Sequence, residues 1–247
     1  METVVLIKFF IGLFFLLWAS RLDLKSRTVP NRIWKLFILF MAPLTLYEAL
    51  FEYHSILEFI IGLFQLFFVS GLALAFYYLG FYGGADAKAL IVLSILFPFY
   101  PEFGSFPVLF RGLSFSFSTL ANSVIFAPLF ALYFFATNLI REGFGELKET
   151  PLYYFIGRKV SADQIPPHHS LLEFFDEDGR LVRVRRGVEP DERMINALKN
   201  AKKRGELGRV WATPQIPFIV FITIGYTVSF ILGDVLSFVI LSLFPNP

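Results

Sequence analysis

The sequence predicts an all-α polytopic membrane protein, with six transmembrane helices and a small α+β cytoplasmic domain inserted before the last of them. Three observations predict it. Of 247 residues, 56% are hydrophobic and 33 are Phe, and the mean hydropathy is +0.63. The apolar residues fall in runs of roughly 20, the length a helix needs to cross the hydrocarbon core of a bilayer. The pattern breaks once, between residues 141 and 209, where most of the Lys and Arg collect. The expected division is therefore a membrane bundle over 1–140, a soluble domain over 141–213 and a final span within 214–247.

Composition also limits the chemistry. A net charge of +2 gives no reason to expect nucleic acid as a partner. The absence of cysteine excludes disulfides, a thiol nucleophile and a cysteine zinc site. The bilayer itself is the implied partner.

The elements follow in order. Residues 3–20 form the first span, with Lys8 its only charge. No small-residue cleavage site follows, so it reads as a retained helix and not a signal peptide. The segment 21–35 is basic, and Pro30-Asn31 marks a turn before the second span, 33–50. Glu48, Glu52 and Glu58 surround the next turn, which has no Lys or Arg. Residues 57–79 are the third span, broken by 80–84. A shorter helix, 86–97, ends at Pro98 and Pro101. The aromatic segment 103–118 is an interfacial loop or a re-entrant segment, and 120–140 is the fifth span. In the inserted domain, 171–175 and 181–185 flank Asp176-Glu177-Asp178-Gly179 as a β-hairpin. Residues 190–204 form an amphipathic helix, with Pro190 in its first turn and Gly205 as its stop. Residues 216–243 are the last span, with Asp234 hydrated near its outer end. Lys and Arg in short loops mark the cytoplasmic side. That places the N-terminus outside, and Asp23, Asp86 and the domain in the cytoplasm.

The stretch Gly83-Gly84-Ala85-Asp86-Ala87-Lys88 carries the chemistry. Adjacent glycines let a backbone, or an extended ligand strand, approach closely. Asp86 opens the next helix, where an N-terminus favours a carboxylate. The topology puts Asp23 at the same depth. Two acids in one apolar site cannot both ionise cheaply, so the pair shares a proton and titrates as a unit. One member then activates water while the other polarises a carbonyl. Taken singly, each Asp is more often an interface or capping residue, Gly83-Gly84 reads as a helix break, and Lys88 as a cytoplasmic anchor.

The combination of Asp23 and Pro30-Asn31 after one span, with Gly83-Gly84-Ala85-Asp86 and Lys88 after the third, resembles the type IV prepilin peptidase family. It is most similar to the archaeal preflagellin peptidase branch, membrane aspartic proteases of the G-x-G-D type. The resemblance extends to the run Trp211-Ala212-Thr213-Pro214-Gln215-Ile216-Pro217. It implies that Asp23 and Asp86 are catalytic and that Gly83, Gly84, Ala85, Lys88, Pro30 and Asn31 form the surrounding motif. Ala85 stands where the family pattern has Gly. The implied partner is a preflagellin or prepilin precursor with a basic leader, and no cofactor or metal is implied. Bacterial relatives that methylate the new N-terminus carry a four-cysteine domain, so the resemblance here implies cleavage without methylation. Two other readings stand beside it: a small ion-coupled transporter, which needs its acid near the midplane, and a non-catalytic assembly partner of a pilus or archaellum machine.

Overall fold

A computed structural model describes residues 2–51, 55–101, 104 and 108–243; Glu52 lies outside them. The membrane-type helices are α1 (Glu2–Ser26), α2 (Asn31–Phe51), α3 (Ile56–Leu79), α4 (Gly84–Leu96), α5 (Phe115–Val124) and α6 (Phe126–Glu142). Then follow α7 (Pro151–Ile156), β1 (Arg158–Ser161), β2 (His169–Phe175), β3 (Leu181–Val188), α8 (Glu192–Lys203) and β4 (Arg209–Pro214). The chain ends in α9 (Phe218–Ile231) and α10 (Val235–Leu243). Two compact units result, one of Met1–Ile125 with Pro217–Pro247 and one of Phe126–Ile216.

Four helical runs are long and apolar enough to cross a membrane: Glu2–Ser26, Asn31–Phe51, Ile56–Leu79 and Phe115–Glu142. Large apolar side chains such as Phe10, Phe14, Leu39, Phe64 and Phe67 stay exposed on them. Water would penalise that surface and lipid matches it, so the chain is a polytopic membrane protein. The expected fifth helix is two, α5 and α6, which divide at Ile125. Pro128 has no N–H to return to the Val124 carbonyl, which is why the helical ladder lapses there.

In the first unit the helices pack through small residues. A Cβ at Gly12 on α1 would collide with the Tyr226 ring of α9, and one at Gly225 on α9 with the Thr119 carbonyl of α5. Such close backbone approach is how helices associate where lipid removes the hydrophobic drive. Ser20 and Thr223 share a hydrogen bond of 2.8 Å across α1 and α9. Lys8 is almost fully buried and pairs with Glu48, joining α1 to α2, with its ammonium 4.7 Å from the Phe97 ring centroid. Gly80, at φ 74°, terminates α3 in the left-handed conformation open to glycine.

The last apolar run is not one continuous helix. It breaks at Gly233, φ 92°, because an extended segment meets it there. The Leu109 N–H donates to Leu232 O at 2.8 Å, and the Asp234 N–H donates to Phe110 O at 2.9 Å. This segment belongs to the 103–118 stretch, of which 103 and 105–107 lie outside the described residues and 115–118 begin α5. Asp234 is completely buried, and not hydrated at an outer edge as its position suggested. It caps α10, accepting from Ser237 N at 2.9 Å and from Ser118 Oγ at 3.0 Å. Asn122 on α5 donates to Ser229 Oγ and Gly233 O, and accepts from Val235 N at 3.0 Å. Backbone polar groups freed by a break in lipid need such partners.

The second unit is an antiparallel sheet in the order β1-β4-β2-β3 with a layer on each face. Alternation along the strands sends Leu171, Val210 and Ala212 to one face, where Leu198 of α8 packs, and Leu172 and Trp211 to the other, against Tyr153 and Tyr154 of α7. The hairpin is present, with Phe175 opposite Leu181 and a turn closed by Asp176 N to Arg180 O at 3.0 Å. Asp191 caps α8, accepting from Met194 N at 2.6 Å, so Pro190 stands just outside the helix and not in its first turn. Gly205, at φ 76°, ends it as expected.

Pairing of β2 with β4 stops at Leu171↔Ala212, and β2 is irregular against β3 between Leu171 and Glu173. The buried Glu173 carboxylate fills the gap, accepting from Trp211 N at 3.0 Å and from Arg183 Nε at 2.9 Å. Glu173→Ala is expected to cost about 1–3 kcal/mol, since it strands the buried Trp211 N–H, while Arg183 stays partly exposed and paired with Glu149; Glu173→Gln should cost less. Hydrogen-exchange protection of the β2 and β4 amides measures this; protection unchanged in Glu173→Ala would contradict it.

Candidate active site

The α1 helix continues past its apolar run to Ser26, so Asp23 is held by a helix and not by a loop. It is 8% exposed. The helix ends at Arg27, whose N–H donates to Asp23 O at 2.9 Å with φ 54°, a left-handed end without glycine. Arg27 Nη1 lies 3.9 Å from Asp23 Oδ2. The same guanidinium has Nε and Nη1 buried without a hydrogen-bond partner among the described residues.

Asp86 is the third residue of α4 and 7% exposed. Its Oδ2 accepts from the Gly83 N–H at 2.9 Å, the acid half of a capping box. The N–H groups of Asp86 itself and of Ile219, in the first turn of α9, lie nearby without closing hydrogen bonds to this carboxylate. Oδ1 is buried and has no hydrogen-bond partner among the described residues. Asp23 is close enough to Asp86 for a direct charge–charge interaction.

The two motif halves are tied by Lys88, whose Nζ donates to Asn31 Oδ1 at 2.8 Å. This bond joins the start of α2 to the first turns of α4. Pro30 is exposed in the connecting turn, and Ala85 packs its methyl against the bundle core. Neither Gly83 nor Gly84 is required by the protein's own packing. Neither has positive φ, and an added Cβ would come no nearer than 3.4 Å, to Asp86 Oδ2 and to the Tyr77 ring respectively. Gly83 is exposed, and Gly84 is half-buried beside the Tyr77 ring. No group of three or more His, Asp or Glu among the described residues is arranged to hold a metal.

Sequence reasoning missed Arg27, Tyr82, Phe218 and Ile219. Tyr82 precedes the motif and stacks on Phe218, with ring centroids 5.5 Å apart. The only available signal was Pro217, which often precedes a helix start.

Two buried carboxylates, Asp23 near the end of α1 and Asp86 near the start of α4, make the candidate acid site of a polytopic helical bundle. Comparison with known proteins gives the family. A model of the type IV leader peptidase family matches residues 10–132, and one of the archaeal peptidase A24 C-terminus, type II, matches 149–235. Preflagellin peptidases from Methanocaldococcus jannaschii and Methanococcus voltae are each 28% identical to the chain, over 97% and 96% of it and 99% of each relative. That of Methanococcus maripaludis is 25% identical over 95% of the chain and 99% of its own length. The chain belongs to the type IV leader peptidase family and is a protease.

The tie between the motif halves has a measurable consequence. Lys88→Ala and Asn31→Ala should each slow peptide cleavage about two- to tenfold, the worth of one hydrogen bond. The double variant should be no slower than the worse single one. Additive losses would show that the two side chains act separately.

Proposed function

We propose that this protein is an aspartic endopeptidase that removes the basic leader from preflagellins or related prepilin-like precursors at the cytoplasmic face of the membrane. The observation that carries the reading is the burial of Asp23 and Asp86, from separate helices, within interaction range of each other. Names borne by the relatives point to preflagellin as substrate. The family resemblance places the cut after a glycine just before the substrate's hydrophobic segment.

The acids share one proton. The ionised member takes a proton from water as the water oxygen attacks the scissile carbonyl carbon, and the protonated member donates to the carbonyl oxygen. Collapse of the tetrahedral intermediate breaks the C–N bond and releases a protonated amine. The exposed backbone at Gly83 suits an extended peptide, which must be unfolded before its bond is reached.

Six crossings fit this reading, with α4 the fourth and α9 with α10 together the sixth. The N-terminus then lies outside, and residues 141–213 form a cytoplasmic domain that positions substrate. Asp23 sits three residues before the end of α1 at Ser26, and Asp86 two residues after the start of α4 at Gly84. A coupled carrier would want them near the midplane.

The test is processing of a tagged preflagellin by membranes carrying the wild type, Asp23→Asn or Asp86→Asn. Each substitution should slow cleavage by about 10²–10⁴-fold, the usual loss with a general acid or base. Full processing by either variant would defeat the dyad.

A further inference from the structure

The start of α9 has no side-chain cap. The Val220 N–H turns back to Pro217 O at 3.1 Å, while the Ile219 N–H, which a helix cannot use internally, lies near the Asp86 carboxylate without closing a hydrogen bond to it. Asp86 is therefore approached by amides from two helix N-termini, its own and that of α9. Both carry positive partial charge.

Something must hold α9 in that place. Phe218, its first residue, lies 7° from parallel with the Tyr82 ring at a centroid separation of 5.5 Å. Tyr82 is itself fixed, its hydroxyl donating to Ala73 O on α3 at 3.1 Å. It directly precedes Gly83, whose N–H holds Asp86 Oδ2. A continuous chain of contacts thus runs from α3 through Tyr82 and Phe218 to the amide facing Asp86. The remaining oxygen, Oδ1, is buried and unpartnered among the described residues.

We propose that the Phe218–Tyr82 stack is a positioning device that seats the N-terminus of α9 against Asp86, fixing the carboxylate's orientation and leaving Oδ1 to act on water or the scissile carbonyl. Phe218 and Tyr82 are positioning residues; neither touches the reacting atoms. The proposal rests on Asp86 being catalytic. Placement matters at this scale because a displacement of about 1 Å in a reacting group can cost 10²-fold in rate.

The experiment uses the full-length enzyme in liposomes with a preflagellin substrate, and compares Phe218→Leu, Phe218→Tyr and Asp86→Asn. Leu keeps apolar volume but removes the stack, and Tyr keeps it. Phe218→Leu should lower kcat about ten- to hundredfold with little change in KM, and should displace a limb of the kcat–pH profile. Phe218→Tyr should restore both. A mere loss of folded enzyme scales the rate alike at every pH and leaves the profile's shape intact. Wild-type kcat and profile in Phe218→Leu, or a Phe218→Tyr as slow as Phe218→Leu, would overturn the proposal. If Phe218→Leu fails to fold, Tyr82→Leu removes the stack from the other side with the same two outcomes. Wild-type cleavage by Asp86→Asn would instead overturn the catalytic reading itself, so the two failures are distinguishable.

Discussion

A buried carboxylate must find donors or keep its proton, and in this chain a helix N-terminus supplies one to Asp86 while an arginine stands beside Asp23. Asp86 takes its hydrogen bond from the N-cap amide of its own helix and faces a second amide from α9. Asp23 sits one turn before the end of α1, beside the Arg27 guanidinium. Neither acid is placed where helices are continuous and every amide is already used. For Asp86 the donors are the free backbone amides of a helix N-terminus, whereas Asp23, near a C-terminal end whose free groups are carbonyls, has the Arg27 guanidinium instead.

The same rule governs the distant polar groups. Lys8 and Glu48 are buried only as a pair, and Asp234 is buried only because it caps α10 and accepts from Ser118. Along α1, Lys8 and Asp23 are about 22 Å apart at 1.5 Å per residue. The first unit is thus fixed by two sets of polar contacts separated by an apolar middle. Close crossings at Gly12 and Gly225 set the spacing of α1, α5 and α9 between them.

Much of this was legible from local pattern. The first three spans, the turn at Pro30-Asn31, the hairpin and the Gly205 stop each follow from a few consecutive residues. Of the candidate site, Asp23 and Asp86 stood out as acids beside apolar runs, and charge in the short loops led to the expectation of one depth for both. What could not be read depends on pairing between distant segments. The break at Gly233 exists because residues 109 and 110 bond to 232 and 234, and nothing around 233 announces that partner. Strands β1 and β4 are short and gain their identity from pairing with each other and with β2. Ile219 contributes to the site through its backbone, to which side-chain pattern is blind. The glycine pair was noticed for the close backbone approach it allows, and within the chain the atoms nearest an added Cβ at either are side-chain atoms, of Asp86 and Tyr77.

Proximity of the two acids in the membrane is the measurement on which everything turns. The chain contains no cysteine, so Asp23→Cys and Asp86→Cys introduce the only two thiols. A short bifunctional thiol reagent applied to native membranes should join them within one chain, as it should join the neighbouring pair Asn31→Cys and Lys88→Cys used as a control. A control pair that links readily while the 23–86 pair never does would mean that the acids do not meet, and that no shared proton passes between them.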